Sequence, residues 1–284
     1  MTSIANDKLN LIESFAVKRV RDLDASVLKS MTGPVIDGIE QRQIIDNFIS
    51  ERYIEDDRNG RLASFVVMSP TNIPLAFFSL RCGELFEETS IEKMKIGHNA
   101  YIALYKLSYN KISTEEEYND ALERIRLANS EGLTVEDFEL LDDKKNDWKY
   151  DDIIDANKEI NKVLKVHSAV ELKLFGTNRS SKTYWQSLGL PDDRKMGECL
   201  FFIKVVETIQ TMLNSVGCQY LYLFAADQET EGQLVQYYRV RLGFTSNAKM
   251  TANKPRFDWN CQFLFQDMNN LFKRKDEFLL SFKE

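Results

Sequence analysis

The chain has 284 residues, of which 43% are hydrophobic and 29% are charged. This composition is typical of a globular protein, and it excludes disorder over the whole chain. The formal net charge of -7 gives no general attraction to phosphate backbones, so we expect no general nucleic-acid binding. Length alone leaves open one large domain or two small ones.

The cysteines and the apolar runs exclude two further classes. The four cysteines lie far apart, form no CxxC pair and have no histidine nearby, so the sequence predicts reduced thiols and no metal site. The amino terminus lacks a basic region followed by an apolar core, and no apolar run is long enough to span a bilayer. We therefore expect a cytoplasmic protein that does not bind a membrane.

Before residue 90, short strand patterns alternate with short helix patterns. The alternation from Ser14 to Arg21 predicts a first strand, and the apolar spacing from Gly38 to about Arg52 predicts a helix. Two runs rich in strand formers, Leu62 to Met68 and Pro74 to Leu85, are separated by turn residues. They predict a β-hairpin.

From Ile91 to about Lys165 helix formers and acidic residues dominate. Helices are predicted to begin near Thr114 and Thr134, and a third to run from Tyr150 to Leu164. We interpret residues 88-165 as a helical insertion between two strands of one sheet. Its acidic charge has two readings, a solvated helix face or an acidic wall beside an active cleft, and the sequence leaves both open.

The stretch after the insertion has the order strand, helix, strand. Alternation from Val166 to Gly176 places Glu171 on the face opposite Val170 and Leu172. A helix with an apolar stripe begins at residues 194-199 and is followed by a strand at residues 219-225. Such a connection predicts a right-handed crossover between parallel strands.

The first turn of this helix is a candidate phosphate site. The N-H groups of a first helical turn lack intrahelical partners, and Gly197 permits close approach to the backbone. Further on, a helix predicted from about Thr230 to Arg241 carries Tyr237 and Tyr238, and it ends at Gly243. Strands at residues 248-251 and 259-266 and a helix at residues 269-282 complete the predicted order.

Three joined features of this stretch resemble the GNAT superfamily of acyl-CoA-dependent N-acetyltransferases. They are a strand carrying Glu171, a helix entered through Arg-x-x-Gly-x-small at residues 194-199, and a tyrosine-bearing helix that ends in Leu-Gly-Phe at residues 242-244. The resemblance implies an α/β (α+β) fold: a GNAT-like mixed, mostly antiparallel twisted sheet with flanking helices. It implies one GNAT-like domain over residues 1-284, interrupted by the helical insertion at about 88-165.

The resemblance also implies acetyl-CoA as acyl donor. Its pyrophosphate would bind the backbone of the helix entry, and its pantetheine would pair with the preceding strand end. The implied cofactor-binding residues are Arg194, Lys195, Met196, Gly197, Glu198 and Cys199 for the former and Phe175, Gly176 and Thr177 for the latter. The connection from Thr177 to Asp193 is longer than is usual in the family, so we expect it to supply phosphate contacts or to cover the site.

Glu171 and Tyr238 match the family's base and acid. Each has a competing structural role: Glu171 could be a salt-bridged residue paired with Lys173 or with another strand, and Tyr238 a core residue. His167 titrates near the right pH but lies at the far end of the strand, so it is the weaker candidate for the base.

These features favour an N-acetyltransferase that transfers an acetyl group directly to a primary amine on a small molecule or a protein. The alternative is a catalytically inactive GNAT-fold protein that uses the helical insertion as a partner surface. A third reading, acetylation of an aminoacyl-tRNA, is disfavoured by the acidic charge. The sequence does not fix the oligomeric state, and a homo-oligomer stays open.

Overall fold

The computed structural model describes residues 2-36, 39-40, 42-145, 161-226, 232-253 and 261-282. The chain divides into two compact units. We call the first the sheet unit, which comprises residues 1-85, 167-247 and 252-284. The second, the helical unit, comprises residues 86-166 and 248-251.

The sheet unit begins with a series of short elements. They are α1 (Thr2–Glu13), β1 (Ala16–Arg19), α2 (Ala25–Lys29), β2 (Val35–Ile36), β3 (Ile39–Glu40), α3 (Arg42–Phe48) and α4 (Glu51–Arg58). The predicted first strand is confirmed, whereas α1 was not predicted. The single helix predicted from Gly38 to Arg52 is wrong at both ends: Ile39–Glu40 is a strand, and Ser50 caps a new helix by accepting a hydrogen bond from the Tyr53 N-H.

The strands that follow build one mixed sheet. They are β4 (Ala63–Met68), β5 (Pro74–Ser90), β6 (Asn161–Thr177), β7 (Tyr220–Ala225), β8 (Met250–Thr251) and β9 (Gln262–Asp267). The order is β1-β4-β5-β6-β7-β9, and β8 pairs with β5. The pairs β1–β4, β4–β5 and β7–β9 are antiparallel, whereas β6 and β7 are parallel. The predicted hairpin and the predicted parallel pairing of β6 with β7 are both confirmed.

The parallel pair diverges after three residue pairs. Ala169, Val170 and Glu171 pair with Tyr220, Leu221 and Tyr222, respectively. Beyond Glu171, β6 continues to Thr177, while the next residues of β7 pair with β9. The two strands therefore open a wedge at their carboxyl ends.

The helices beside this wedge contain two π-helical turns. One long helix consists of α9 (Met196–Leu200), a π-helical turn (Phe201–Val205) and α10 (Val206–Leu213). A second consists of α11 (Gln233–Gln236) and a π-helical turn (Tyr237–Arg241). The long helix begins where the sequence predicts. The second ends before Gly243, whose φ of 81° is the left-handed conformation that glycine adopts readily; its predicted start at Thr230 lies outside the described residues.

The remaining helices of the sheet unit are α12 (Met268–Leu280) and a short α8 (Lys182–Ser187), which lies inside the segment that the sequence reads as a polar loop. The larger of the two core clusters of the sheet unit joins strands of the sheet to α1, the long helix and α12. Its fully buried members include Leu75, Phe78, Leu200, Phe201, Ile209 and Leu264.

The helical unit contains α5 (Ile91–Ser108), α6 (Glu115–Ser130) and α7 (Val135–Lys145). Thr114 caps α6 by accepting from the Glu117 N-H at 3.2 Å, while the Glu117 carboxylate accepts from the Ser113 N-H at 2.8 Å. The predicted helices at Thr114 and Thr134 are confirmed. Most of the helix predicted at Tyr150–Leu164 lies outside the described residues, and its last part is wrong, because residues 161-164 begin β6 and continue its alternation.

The helical unit has its own apolar core, formed by residues such as Met94, Ala128, Phe138 and Leu141. In neither unit is any described helix both long enough and apolar enough to cross a membrane.

Candidate active site

A cavity of about 620 Å³ lies in the wedge between β6 and β7. Its walls come from the diverging strand ends, the start of α9, the π-helical turn after α11, and α3 with α4. Among the sequence-predicted site residues, those that line it are Glu171, Phe175, Gly176, Thr177, Lys195, Gly197 and Tyr238. The fold therefore brings together predicted site residues that lie far apart in the chain. The largest separation, from Glu171 to Tyr238, is 67 positions.

Glu171 lies where the parallel strands separate, and it is 1% exposed. Its Oε2 accepts a hydrogen bond from Arg81 Nε at 2.7 Å and also pairs with Arg81 Nη2. The Tyr222 hydroxyl donates to the same oxygen at 3.5 Å, and Lys173 Nζ lies 3.7 Å from Oε1. The salt-bridged arrangement that the sequence left open is thus present, and it fixes one carboxylate oxygen more firmly than the other.

Gly83 on β5 makes room for Tyr222. A Cβ at this position would collide with the Tyr222 hydroxyl. The phenol therefore packs against the bare backbone of β5 while it donates to Glu171. Burial, followed by the nearby Glu171 charge, raises the pKa of Tyr222, so the phenol stays protonated and acts as a donor.

Gly197 forms the opposite end of the cavity. A Cβ on Gly197 would lie 2.7 Å from the Tyr237 hydroxyl and 3.5 Å from Thr177 Cγ2. The start of α9, the end of β6 and the π-helical turn thus meet at one glycine. Because Gly197 has no side chain, the Tyr237 hydroxyl can approach its backbone. A phosphate oxygen that binds at a helix start needs the same close approach.

Arg194 does not direct its side chain to the cavity. Its guanidinium donates to Ser281 Oγ at 2.9 Å and to the Ser281 carbonyl at 2.5 Å, and it lies over the Phe282 ring. Its carbonyl accepts from Trp185 Nε1 at 3.3 Å. Arg194 therefore anchors the entry of α9 to the end of α12, a role that sequence reasoning did not assign.

Glu198 and Cys199 belong to α9 itself, and their side chains lie outside the cavity lining. Cys199 is fully buried, and burial raises the pKa of its thiol to about 12, which makes a nucleophilic thiolate unavailable near neutrality. Burial also raises the pKa of Glu198, while Arg241, whose Nη1 lies 3.8 Å from the carboxylate, acts in the opposite direction. Like Met196, neither residue lines the cavity.

Tyr238 lines the cavity and also belongs to the hydrophobic core. It is 7% exposed, its ring packs edge-on against Phe244 at 5.8 Å, and its carbonyl accepts from the Phe244 N-H at 3.0 Å. Burial raises the pKa of its hydroxyl. The geometry therefore supports a packing role and leaves a protonated phenol at the cavity wall.

His167 lies in the first half of β6, before Glu171. Its Nδ1 is 3.0 Å from Gln219 Oε1, and its ring contacts Tyr220 edge-on. It is not among the residues that line the cavity. His167, the weaker candidate for the base, therefore contacts the start of β7 and not the cavity.

The long connection after Thr177 packs into the protein and does not enter the cavity lining. Asn178 is fully buried; its Nδ2 donates to the Pro74 carbonyl at 2.7 Å, and its Oδ1 accepts from the Thr32 N-H at 2.9 Å. Trp185 of α8 joins the hydrophobic core. Asn178 therefore pins the end of β6 to the start of β5, and the connection is a support for the strand end.

Sequence reasoning missed Arg81, Tyr222 and Tyr237 as site residues. Arg81 lies 90 positions before Glu171, and only the pairing of strands brings the two together. Tyr237 is adjacent to Tyr238, and both residues line the cavity. Within the part of the chain that the structure describes, no group of three or more His, Cys, Asp or Glu residues is placed to hold a metal ion.

The expected architecture, a mixed, mostly antiparallel sheet with flanking helices, is confirmed, and its one parallel pair, β6 and β7, diverges around the cavity. No protein-family model matches the chain, and no curated protein matches it.

Solved structures that match the chain include acetyl-CoA-bound AtaTR, with 13% identity, a TM-score of 0.44, and coverage of 94% of this chain and 98% of that one. AtaT complexed with acetyl-methionyl-tRNAfMet has 12% identity, a TM-score of 0.42, and coverage of 94% and 99%. A complex of KacTA with DNA has 11% identity, a TM-score of 0.44, and coverage of 93% and 99%. At these values the likeness does not assign an activity to this chain.

Proposed function

We propose that the chain is an N-acetyltransferase that moves an acetyl group from acetyl-CoA to a primary amine by direct transfer. The observation that carries the proposal is the cavity in the wedge of β6 and β7. It has a buried carboxylate at one end, a bare glycine at the start of a helix at the other, and a phenol in its wall. Direct transfer of an acyl group from a thioester to an amine needs a proton acceptor for the amine and a proton donor for the departing sulfur, and the donor's phosphates need a binding site in the same space.

The residues at the glycine end fit the phosphate-bearing part of the donor. Gly197 has no side chain at the start of the helix, the Tyr237 hydroxyl lies beside it, and Lys195 adds a cationic side chain to the same wall. The edge of β6 from Phe175 to Thr177 has left β7 and offers its backbone to an extended chain such as pantetheine. When bound there, acetyl-CoA supplies the activated thioester.

Glu171 is the residue that we assign to the amine. Arg81 and Tyr222 hold its Oε2, so Oε1 is the oxygen with the weaker engagement. In this assignment Oε1 accepts the proton from the amine, directly or through a water, while Arg81 fixes the orientation of the carboxylate. Tyr238, protonated at neutral pH, donates a proton to the departing sulfur.

The wall of the cavity that comes from the amino-terminal elements bounds the acceptor. It is formed by Pro34, Ile44, Asn47 and Tyr53, a mixture of apolar and uncharged polar residues. A compact amine fits this end better than a long polycation, because the wall offers no row of carboxylates. The identity of the amine is left to experiment.

A thiol-release assay tests the proposal. The protein, acetyl-CoA and one amine at a time are mixed, and free CoA is measured. The panel comprises polyamines, aminoglycosides, amino acids, peptides with a free amino terminus or a lysine, and an aminoacyl-tRNA. Release that depends on one class of amine supports the proposal. Turnover of the aminoacyl-tRNA alone would overturn the expectation, drawn from the charge of -7, that nucleic acid is not a partner.

The ion pair of Glu171 favours one alternative, a catalytically inactive protein that keeps the cavity. This alternative predicts that the protein binds CoA but that no amine in the panel causes release of free CoA from acetyl-CoA. If thiol release is observed, Tyr238→Phe distinguishes a catalytic role of Tyr238 from a packing role. The active enzyme loses about 100-fold in turnover with little change in acetyl-CoA affinity, whereas a packing role lowers both equally.

A further inference from the structure

Tyr237 occupies a position that the proposed chemistry does not use. Its hydroxyl is the group closest to the place where a Gly197 Cβ would stand, at 2.7 Å, and its Cζ is 3.7 Å from the same point. The phenol therefore ends at the start of α9 and points into the part of the cavity that the donor's phosphates would enter. Gly197 is required as a glycine because this hydroxyl lies against it.

The neighbouring Tyr238 has a different environment. Its ring packs on Phe244 within the hydrophobic core, and burial is the one cause that raises the pKa of its hydroxyl. Tyr237 is only partly buried, and polar groups of Glu198, Cys199 and Arg241 act on its hydroxyl. The two rings contact each other edge-on at 5.8 Å, and both residues line the cavity. What distinguishes them is that the Tyr238 ring packs on Phe244, whereas the Tyr237 hydroxyl lies at the start of α9.

The chemistry of a phenol limits what the Tyr237 hydroxyl does. Burial raises the pKa of the Tyr237 hydroxyl, and the adjacent Tyr238 and the nearby Glu198 raise it further, so the group remains protonated at all ordinary pH values. A protonated phenol on a cavity wall is a hydrogen-bond donor that seeks an oxygen acceptor. The backbone around Gly197 and the side chain of Lys195 favour an anionic acceptor at this place.

We propose that Tyr237 is a cofactor-binding residue whose hydroxyl donates a hydrogen bond to the diphosphate of CoA beside Gly197. This inference rests on the proposed function, since it takes CoA as the ligand of the cavity. It assigns the two adjacent tyrosines to two different tasks. Tyr237 determines affinity for the phosphate-bearing part of the donor, and Tyr238 acts at its sulfur.

Calorimetric titration of the full chain with CoA tests the inference, together with competition by pantetheine, which lacks the diphosphate. For Tyr237→Phe we expect about tenfold weaker binding of CoA, the loss of one hydrogen bond to a charged group. The affinity for pantetheine should not change. Tyr118→Phe removes a hydroxyl from a tyrosine that is 47% exposed on α6 and serves as the matched control, with unchanged affinity for both ligands.

A double-mutant cycle gives a second readout. Gly197→Ala places a methyl group against the Tyr237 hydroxyl, so its cost in CoA affinity should be smaller in the Tyr237→Phe background than in the wild type. Equal costs in both backgrounds would show that the hydroxyl is not at this glycine.

The outcomes separate the two proposals. If the wild type binds CoA and Tyr237→Phe binds it equally well, or if CoA and pantetheine weaken by the same factor, the role of Tyr237 is overturned and the proposed function stands. If the wild type binds neither ligand, the proposed function itself is overturned. A selective loss for CoA, with a thermal midpoint close to that of the wild type, confirms the assignment.

Discussion

The two ends of the cavity differ in whether their polar groups are already paired with protein partners. At the Glu171 end a buried carboxylate is fixed by Arg81 and Tyr222, so each charge there already has a partner. At the Gly197 end the cavity lining has a glycine at the start of a helix, a phenol and a lysine, whereas the nearby Glu198 carboxylate lies outside the lining and is paired with Arg241. The Glu171 end fixes the orientation of a carboxylate, and the Gly197 end is suited to bind an anion.

The difference follows from how each end is made. The Glu171 end lies at the last pairs of the parallel strands, where strand register determines which side chains meet. The Gly197 end lies where the strands have separated and a helix begins, so backbone groups supply the chemistry. Substitutions should therefore alter turnover at the first end and affinity at the second.

The largest effect is expected for Glu171→Gln. Loss of the carboxylate removes the proposed proton acceptor and leaves Arg81 without its partner, so turnover should fall by at least about 100-fold. The affinity for acetyl-CoA should change by less than about threefold, because the substitution lies at the other end of the cavity. Steady-state kinetics and calorimetry measure the two quantities.

Arg81→Lys is the matched control for this end. It keeps one positive charge beside Glu171 but loses the paired contacts of the guanidinium. A smaller loss of turnover than in Glu171→Gln is expected. If Glu171→Gln retains full turnover, the carboxylate is a structural residue and the assignment of the base is wrong.

A smaller effect is expected for Gly197→Ala at the other end. The added methyl group would lie 2.7 Å from the Tyr237 hydroxyl, so the phenol or the start of α9 must shift. We expect about tenfold weaker binding of CoA and a turnover at saturation within about twofold of wild type. Gly217→Ala is the control, since a Cβ there meets nothing within 4 Å.

The smallest effect is expected for Glu198→Gln and appears only in the pH dependence. Burial raises the folded-state pKa of Glu198 above its ordinary value of 4.5, so the folded chain binds more protons than the unfolded chain in the interval between the two pKa values. Stability is therefore lost as the pH rises through the folded-state pKa.

Glu198→Gln removes the titrating carboxyl and with it this loss of stability at higher pH. Relative to wild type its free energy of unfolding should increase between pH 4.5 and pH 7, by at most about 1 kcal/mol because the Arg241 pair is lost as well. Chemical denaturation at several pH values measures the difference. A difference between variant and wild type that is independent of pH would show that burial does not perturb this carboxyl.

The sequence predicted the parts of the site that depend on local pattern. Alternation along β6 placed Glu171 on its face, and the apolar stripe located the helix that begins near Gly197. It could not predict that Arg81 and Tyr222 meet Glu171, because this depends on the register of strands far apart in the chain.

Short elements also escaped prediction. The six residues of α8 are too few to show a helical period, and Ser50 breaks an apolar spacing that otherwise reads as one helix. The environment of Tyr237 depends on a π-helical turn, which changes the direction of side chains without a sequence signal that we recognised.

The most direct test of the account is calorimetric titration of the wild-type chain with acetyl-CoA and with CoA. The account predicts saturable binding of both ligands, one molecule per cavity, and weaker binding of both by Gly197→Ala than by Gly217→Ala. Absence of detectable binding at millimolar ligand would contradict the central claim that the wedge between β6 and β7 is a CoA site.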